Sequence, residues 1–291
     1  MDKQKIAKKL REEHFTMREI ANRVGVDQRT VYRWFEAERE YKEPKDAPQM
    51  WELSGDFTVI GDVHVDAVNW DYTKLVFKQS KDIKIPRLII AGDLFSFHRL
   101  GRYPIVFKVP STKDEIVAAK KFISLAMNTF EEVYWFIGNH DERFIAAMDG
   151  TLEIEDMADL VCANGNRSRL FTSPYNYCHV DNSGMPWHVT HTYEYNPNPL
   201  IVAKKYAGFY EMNVIHQHKH IANIGVTDNH KYIVIDNGCM CEQGDTGYAH
   251  LRDGTMPRFQ KSAVFLRRGE PLHFSDDCRV FSFGPKKTWK P

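Results

Sequence analysis

The chain has 291 residues, 43% of them hydrophobic, which is enough for two packed domains at most and excludes wholesale disorder. Its 39 basic and 39 acidic residues give a formal net charge of zero, which excludes a protein that coats nucleic acid through its overall charge. No apolar run approaches the roughly 20 residues of a membrane span, so we expect no transmembrane helix. The first residues are charged rather than apolar, and the five cysteines suit a reducing compartment, so we expect a cytoplasmic protein.

Three regions follow one another along the chain. Residues 1–40 have a helical pattern, and the first 35 of them carry nine basic and five acidic residues. Residues 41–54 combine dense charge with Pro44 and Pro48, which predicts a linker. Residues 55–291 contain short apolar runs and helical stretches, which predict one larger domain.

The basic N-terminal region contains a helix-turn-helix pattern over residues 16–35. Thr16 and Asp27 can each cap a helix, and Gly25 supplies the left-handed residue of the turn between the two helices. The segment resembles the DNA-binding modules of resolvases and transposases, whose second helix enters the major groove. The alternative is a small helical bundle for dimerisation or docking. The resemblance implies three DNA-facing side chains: Gln28, Arg29 and Arg33.

The larger region alternates strand and helix patterns. One clear helix is predicted over residues 113–130, with Thr112 and Glu115 as a capping box. Strands alternating with helices predict an α/β domain, and the turn-rich segment after residue 231 predicts an antiparallel end to the sheets. The predicted strands are residues 57–61, 87–92, 133–138, 187–190, 212–215 and 231–235.

Chemically active residues stand at the ends of these predicted strands, where α/β folds place their sites. A set of carboxylates and imidazoles suits two divalent ions that clamp a phosphate and lower the pKa of a bridging water. Imidazole favours Mn, Zn, Fe or Ni over Mg or Ca, and we expect Mn. Cys239 and Cys241 lie outside the motifs, and we expect them only to pack. The motifs are Gly61-Asp62-Val63-His64, Gly92-Asp93, Gly138-Asn139-His140-Asp141, His191 and His216-Gln217-His218.

These five motifs, in this order, resemble the calcineurin-like metallophosphoesterase superfamily over residues 56–240. The resemblance implies a four-layer α-β-β-α domain and hydrolysis of phosphate esters by a hydroxide that bridges two metal ions. Asp62, His64 and His218 would hold the first ion, and Asp93 would bridge both. Asn139, His191 and His216 would hold the second ion.

The resemblance also implies roles around the metals. His140 would face the substrate, and Asp141 could orient His140. His98 and Arg99 are possible substrate contacts or ordinary surface residues.

The last motif leaves two alternatives, because His218-Lys219-His220 has the same spacing as His216-Gln217-His218. We prefer His216 and His218, since His216 directly follows an apolar run. His188 competes with His191 in the same way, but it stands inside its predicted strand, whereas His191 ends it.

The substrate remains open between two classes. We expect DNA to be the substrate, and the activity to be that of a nuclease or a DNA-end phosphatase that the helix-turn-helix delivers. The alternative is a phosphatase or phosphodiesterase for small molecules or phosphoproteins, with the helical module used for docking. A DNA-binding regulator with a vestigial catalytic domain is a third class, and the complete ligand set disfavours it.

Overall fold

The structure is a computed structural model, and the chain divides into two compact units, Met1–Ala47 and Pro48–Pro291. Among the described residues, no helix is both long and apolar enough to cross a membrane. The described residues are 3–13, 15–31, 48–101, 108–149, 151–162, 167–243, 258–276 and 280–282.

The N-terminal unit contains helices α1 (Lys3–Glu12) and α2 (Met17–Val24). Thr16 caps α2 in a capping box with Glu19, as the pattern predicts for Thr16. Gly25 then takes the left-handed conformation, with φ +68°, and ends α2. The Thr30 amide donates to Asp27 Oδ1 over 2.9 Å at the start of the next helical turn.

The exposed face after this turn carries part of the predicted DNA-contact set. Gln28 and Arg29 are exposed, whereas Val31 is fully buried with the apolar residues of α2. Arg33 lies outside the described residues. The helix-turn-helix interpretation therefore stays a prediction, with two of its three DNA-facing residues at the surface.

The larger unit contains two mixed sheets and five described helices. Sheet I has the order β13-β12-β11-β2-β3-β4-β5, and sheet II has the order β1-β6-β7-β8-β10-β9. The helices are α3 (Trp70–Asp82), α4 (Thr112–Thr129), α5 (Glu142–Ala147), α6 (Ile154–Val161) and α7 (Ile201–Tyr210). The strands are β1 (Glu52–Ser54), β2 (Phe57–Ile60), β3 (Arg87–Ala91), β4 (Glu132–Phe136), β5 (Leu170–Ser173), β6 (Tyr177–Asn182), β7 (Met185–His191), β8 (Asn213–Gln217), β9 (Ala222–Val226), β10 (Ile233–Asn237), β11 (Ser262–Arg267), β12 (Glu270–Ser275) and β13 (Val280–Ser282).

The layers follow from three apolar clusters. One cluster joins the inner faces of both sheets, with Val59 and Phe136 from sheet I against Trp187 and Ile215 from sheet II. A second cluster packs α3, α4 and α6 on the outer face of sheet I, and a third packs α7 on sheet II. Helix, sheet, sheet and helix form the expected α-β-β-α sandwich.

The first strand of this unit differs from the expected domain boundary. Residues 52–54, assigned from sequence to the linker 41–54, form β1, and Leu53 pairs with Val180 of β6. Only three residues long, β1 is too short for its alternation to stand out from the charged segment before it. The larger unit therefore begins before residue 55.

Helix α4 begins one residue earlier than expected. Ser111, rather than Thr112, is the N-cap, and it forms a capping box with Asp114. Glu115 therefore does not take part in the capping box, and its side chain is buried. Its Oε2 accepts hydrogen bonds from the amides of Ser96 and Phe97, over 3.0 and 2.8 Å. The carboxylate thus ties α4 to the loop after β3.

Replacing Glu115 by Gln should remove a pH dependence of stability. Burial, and then the nearby Asp66, raise the pKa of Glu115 to about 7. As the pH rises from the ordinary carboxyl range towards 7, the unfolded chain loses this proton first, so native stability falls through that window. The Glu115→Gln variant would carry no titratable group at this position, so its free energy of unfolding should not fall in this way. Relative to the natural chain, the free energy of unfolding of Glu115→Gln should rise by on the order of 1–3 kcal/mol between pH 5 and pH 8. Urea unfolding at both pH values measures the difference.

The exposed Glu131→Gln variant is the matched control, because it removes the same charge without changing a buried group. An equal change with pH in the natural chain and in Glu115→Gln would contradict this account of Glu115.

Candidate metal centre

The predicted motifs meet at one edge of the two sheets. Strands β2, β3 and β4 are parallel neighbours in sheet I, and β7 and β8 are parallel neighbours in sheet II. The carboxyl ends of parallel strands lie on the same edge, so the loops after these strands converge there.

Three glycines make room for this convergence. A Cβ on Gly61 would lie 2.7 Å from the Gln217 side chain, and one on Gly92 would lie 2.6 Å from the His191 ring. A Cβ on Gly138 would lie 2.2 Å from Asp93 Oδ1. The glycines before the motif residues are therefore needed for close packing around the site.

Five of the thirteen described non-glycine residues with positive φ belong to the site. Positive φ is uncommon for residues other than glycine and is found at functional sites when the surrounding fold enforces it. The five residues concerned are Asp62 (φ 47°), His64 (44°), Asp93 (51°), His218 (101°) and His220 (57°).

A first cluster consists of Asp62, His64 and His220, all buried. His220 Nε2 lies 3.1 Å from Asp62 Oδ1 and 3.3 Å from His64 Nε2. His64 Nδ1 is 3.0 Å from the hydroxyl of Ser96, which in turn donates to Asp66. This second pair of contacts orients the His64 ring so that Nε2 faces the cluster.

A second cluster consists of Asp93, His191 and His218. His191 Nε2 lies 3.2 Å from Asp93 Oδ2 and 3.3 Å from Asp62 Oδ1, so this imidazole connects the two clusters. Asn139 follows β4 beside them, and its buried Oδ1 has no hydrogen-bond partner in the part of the chain that the structure describes. An oxygen in that position suits a metal ligand.

The two buried carboxylates, Asp62 and Asp93, are stabilised in their charged form by nearby positive charge. Burial would raise the pKa of Asp62, but the imidazoles of His220 and His191 hold it well below its ordinary value. Burial acts in the same way on Asp93, and His191 and His140 lower its pKa far below the ordinary value. Both carboxylates are therefore ionised at neutral pH, as oxygen ligands of a metal must be.

The imidazoles divide into two kinds. Burial lowers the pKa of His64 well below its ordinary value and that of His218 to about 3, which leaves both rings neutral and able to bind metal. Burial would also lower the pKa of His191 and His220, but Asp93 raises it for His191 and Asp62 raises it for His220. Divalent ions would supply the positive charge that these carboxylates attract, so the donor set fits the metals implied by the sequence.

His216 does not join either cluster, contrary to the preferred ligand pair. Its Nδ1 lies 2.9 Å from Asp236 Oδ1, and its Nε2 lies 3.0 Å from Thr192 Oγ1. Strand β8 continues through Gln217, and side chains alternate along it, so His216 lies on the opposite face from Ile215 and Gln217. The geometry favours the other pair that the sequence left open, His218 and His220.

His188 lies outside both clusters. Its ring stacks on Tyr210 of α7, with 3.9 Å between the ring centroids. The preference for His191 over His188 agrees with this placement.

His140 stands at the edge of the second cluster, with Nε2 3.9 Å from Asp93 Oδ2. Its Nδ1 lies 2.9 Å from the Ser96 carbonyl, which can only accept, so Nδ1 carries the proton. Arg143 Nη2 lies 3.1 Å from Nε2 and donates to that nitrogen. Burial lowers the pKa of His140 to about 4, which agrees with a neutral ring.

Asp141 has a different position from the one expected of an orienting partner for His140. Its carboxylate accepts hydrogen bonds from the Phe95 amide, the Gly138 amide and the Trp135 indole, over 3.1, 3.0 and 3.3 Å. These contacts hold the loops after β3 and β4 together. Asp141 therefore supports the backbone of the site, while Ser96 and Arg143 orient the ring of His140.

The two possible substrate contacts also separate. The ring of His98 lies 6.3 Å from that of His140, and its Nε2 is 3.7 Å from Asp66 Oδ2. Arg99 instead donates to the carbonyls of Pro110 and Val109, so its guanidinium is used to hold the segment before α4. The cation beside His140 is Arg143, which the sequence motifs did not single out. The Arg143 amide donates to the His140 carbonyl over 3.1 Å, in the turn that leads into α5, and this turn brings the two side chains together.

Comparisons with known proteins place this geometry in a family. The family model of the calcineurin-like phosphoesterases matches residues 55–238. No curated protein matches the chain. Three solved structures illustrate the similarity. Vps29 from Entamoeba histolytica in complex with zinc is 12% identical, with 78% of this chain and 97% of that chain covered and a TM-score of 0.42. A conserved protein from Streptococcus pneumoniae, described as a predicted phosphoesterase, is 12% identical, with 78% and 92% of the two chains covered and a TM-score of 0.36. A cold-active protein-tyrosine phosphatase from a Shewanella species is 10% identical, with 84% and 88% of the two chains covered and a TM-score of 0.38.

The family model covers more than half of the chain and includes the motifs from Asp62 through His220. The chain belongs to the calcineurin-like phosphoesterase family and is a metal-dependent phosphoesterase.

Proposed function

We propose that the chain hydrolyses phosphate esters with two divalent ions held at the meeting point of the two clusters. One ion would be held by Asp62, His64 and His220, and the other by Asn139, His191 and His218, with Asp93 between them. The observation that carries this proposal is the position of His191 Nε2, within 3.3 Å of both Asp62 and Asp93. When bound, the two ions would lower the pKa of a water nucleophile and neutralise charge on the phosphoryl oxygens.

The chain itself contributes the groups that face the substrate. Arg143 Nη1 donates to the Ser96 carbonyl over 2.8 Å, while Nη2 contacts His140, so the guanidinium is fixed beside the imidazole. A fixed cation at this place can bind a phosphoryl oxygen, and the unprotonated Nε2 of His140 can take up a proton from water and pass it to the leaving oxygen. Both groups are positioned before substrate binds.

We infer from the N-terminal unit that DNA is the substrate class. We infer from the imidazole-rich ligand set that Mn is the metal. The capped α2, the left-handed Gly25 and the exposed Gln28 and Arg29 are consistent with a helix-turn-helix. A DNA-bound module would raise the local concentration of phosphodiesters near the tethered catalytic unit.

The test is a Mn-supplemented hydrolysis assay on single-stranded DNA, duplex DNA, DNA with 3′-phosphate ends, cyclic nucleotides and aryl phosphate diesters. A clear preference for one of the DNA substrates would support the proposal. Turnover of cyclic nucleotides or aryl diesters without turnover of DNA would remove DNA as the substrate class and leave the two-metal proposal intact. No turnover with Mn, Zn, Fe or Ni would refute the two-metal proposal.

A Gln28→Ala/Arg29→Ala variant should bind duplex DNA about tenfold or more weakly, because it removes two polar side chains from the proposed groove-facing surface. Hydrolysis of an aryl phosphate diester should be unchanged, because both residues belong to the N-terminal unit. Fluorescence anisotropy at several salt concentrations measures the affinity and its salt slope.

Lys5→Ala on the exposed side of α1 is the matched control for loss of a surface charge. If both variants bind DNA as the natural chain does, the helical unit serves docking or dimerisation instead.

A further inference from the structure

Behind His220, away from the proposed dinuclear centre, lie two cysteines that the phosphoesterase function does not use. Cys239 and Cys241 follow β10, and their sulfur atoms and a ring nitrogen of His220 lie within 4.8 Å of one another. All three residues are buried, with 0%, 1% and 5% of their surface exposed. Both cysteines are free thiols.

The contacts of these side chains leave donor atoms in the cluster that could bind a metal ion. His220 Nε2 faces Asp62 and His64, whereas the buried Nδ1 has no hydrogen-bond partner among the described residues. Cys239 Sγ forms weak sulfur hydrogen bonds with the Cys241 carbonyl, over 3.5 Å, and with the Gln260 carbonyl, over 3.7 Å. An unsatisfied imidazole nitrogen beside two thiols is costly as packing alone and suits a ligand set.

We propose that Cys239, Cys241 and His220 bind a thiophilic ion such as Zn²⁺ or Cd²⁺, at a site that shares only His220 with the proposed dinuclear centre. Ligands at about 2.0–2.3 Å from a tetrahedral zinc lie about 3.3–3.8 Å apart, so small side-chain rotations would bring these three into position. Thiolate ligands select soft ions, in contrast to the carboxylates of the neighbouring centre. Two thiolates and one imidazole leave one position for a further ligand.

An access path for the ion runs along the cysteine side of the cluster. Cys241 also lines a polar cavity of about 270 Å³, together with Phe259, Gln260 and Lys261. The ring of Phe259 packs edge-on against His220, with 4.2 Å between the centroids. Neither Asp62 nor Asp93 lines this cavity, so the cavity gives an ion a route to Cys241 that does not begin at those carboxylates.

The shared imidazole links the two sites. In the proposed function His220 holds the first ion through Nε2, so Nδ1 carries the ring proton. An ion bound through Nδ1 and the cysteines would release that proton to solvent and compete with the first ion for the same ring. Rotation of that ring towards the sulfur atoms would weaken the first metal site. The cysteine site is therefore a means by which excess soft metal inhibits the phosphoesterase.

The test is a Co²⁺ titration of the full chain in a non-thiol reductant. Sulfur ligation gives an intense near-ultraviolet thiolate-to-cobalt band, which nitrogen and oxygen ligands do not give. We expect this band in the natural chain and its loss in Cys239→Ser/Cys241→Ser. A variant with Cys162, Cys178 and Cys278 replaced by Ala keeps only the proposed pair and should retain the band.

The spectrum does not depend on catalysis, so its outcome is separate from that of the hydrolysis assay. Absence of the band in the natural chain, or its persistence in the double serine variant, would overturn the site. If the serine variant fails to fold, the alanine variant decides: the band supports the site, and its absence overturns it. Inhibition by Cd²⁺ that disappears in a folded Cys241→Ser variant would support the link through His220, and equal inhibition of both proteins would overturn that link.

Discussion

An Asp93→Asn variant is expected to lose phosphoesterase activity by a factor on the order of 10³ and to lose most of its bound metal. The substitution keeps an oxygen that can accept from the His140 amide, which donates to Asp93 Oδ1 over 2.8 Å. It removes the negative charge that faces His191 and His140. Metal content after gel filtration and turnover of an aryl phosphate diester measure the two effects.

Asp93 belongs to the second cluster, and its Oδ2 also lies 4.0 Å from His64 Nε2 of the first, so under the proposed two-metal function this change has the larger effect. A ligand that belongs to one ion affects one ion, whereas a bridging carboxylate supports both. Asp149→Asn, at an exposed turn position two residues after α5, is the matched control and should keep both metal and turnover. Full turnover of the natural chain in the presence of a strong chelator would contradict the two-metal mechanism itself.

The sheet edge that carries the site is predictable from sequence because its strands are short, apolar and followed by polar residues. The runs ending before Asp62, Asp93 and Asn139 correspond to β2, β3 and β4. These strands are buried on both faces, so their apolar character is continuous and easily recognised. In contrast, β1 and β9 contain no comparable apolar run, and pairing with their neighbours defines them.

The choice between neighbouring histidines depends on information that a local pattern lacks. Strand β8 ends at Gln217, two residues after the apolar run ends at Ile215, and this extension turns His216 to the outer face of sheet II. The extension is stabilised by parallel pairing with β7 and β10 on both sides. A strand end set by its neighbours cannot be located from the residues of one strand.

The contacts of the Asp141 side chain also could not be predicted from its position in the sequence. Its place next to His140 in the chain suggests a direct contact, but the start of α5 turns its carboxylate towards Phe95 and Trp135. Cys239 and Cys241 are a further case, since their proximity to His220 depends on the pairing of β10 with β8 and β9. Long-range pairing decides which of several plausible polar residues meet.

The second large effect is expected for a His220→Asn variant, which should lose one bound ion and reduce turnover about a hundredfold or more. His220 Nε2 is within 3.3 Å of both Asp62 and His64, and an asparagine is too short to place a nitrogen there. The second cluster retains Asp93, His191 and His218, so one ion should remain. Metal content per chain separates the loss of one ion from the loss of both in Asp93→Asn.

His216→Asn is the matched variant, since it changes a buried histidine of the same segment. It removes a partner of Asp236, which keeps contacts with Lys219 Nζ and the Leu200 amide, so we expect a loss of stability of about 1–3 kcal/mol. Both ions and most of the turnover should remain, because His216 faces Asp236 and Thr192 rather than the clusters. If His216→Asn loses an ion while His220→Asn keeps both, then His216 and His218 are the ligand pair, and β8 must end earlier in the metal-bound protein.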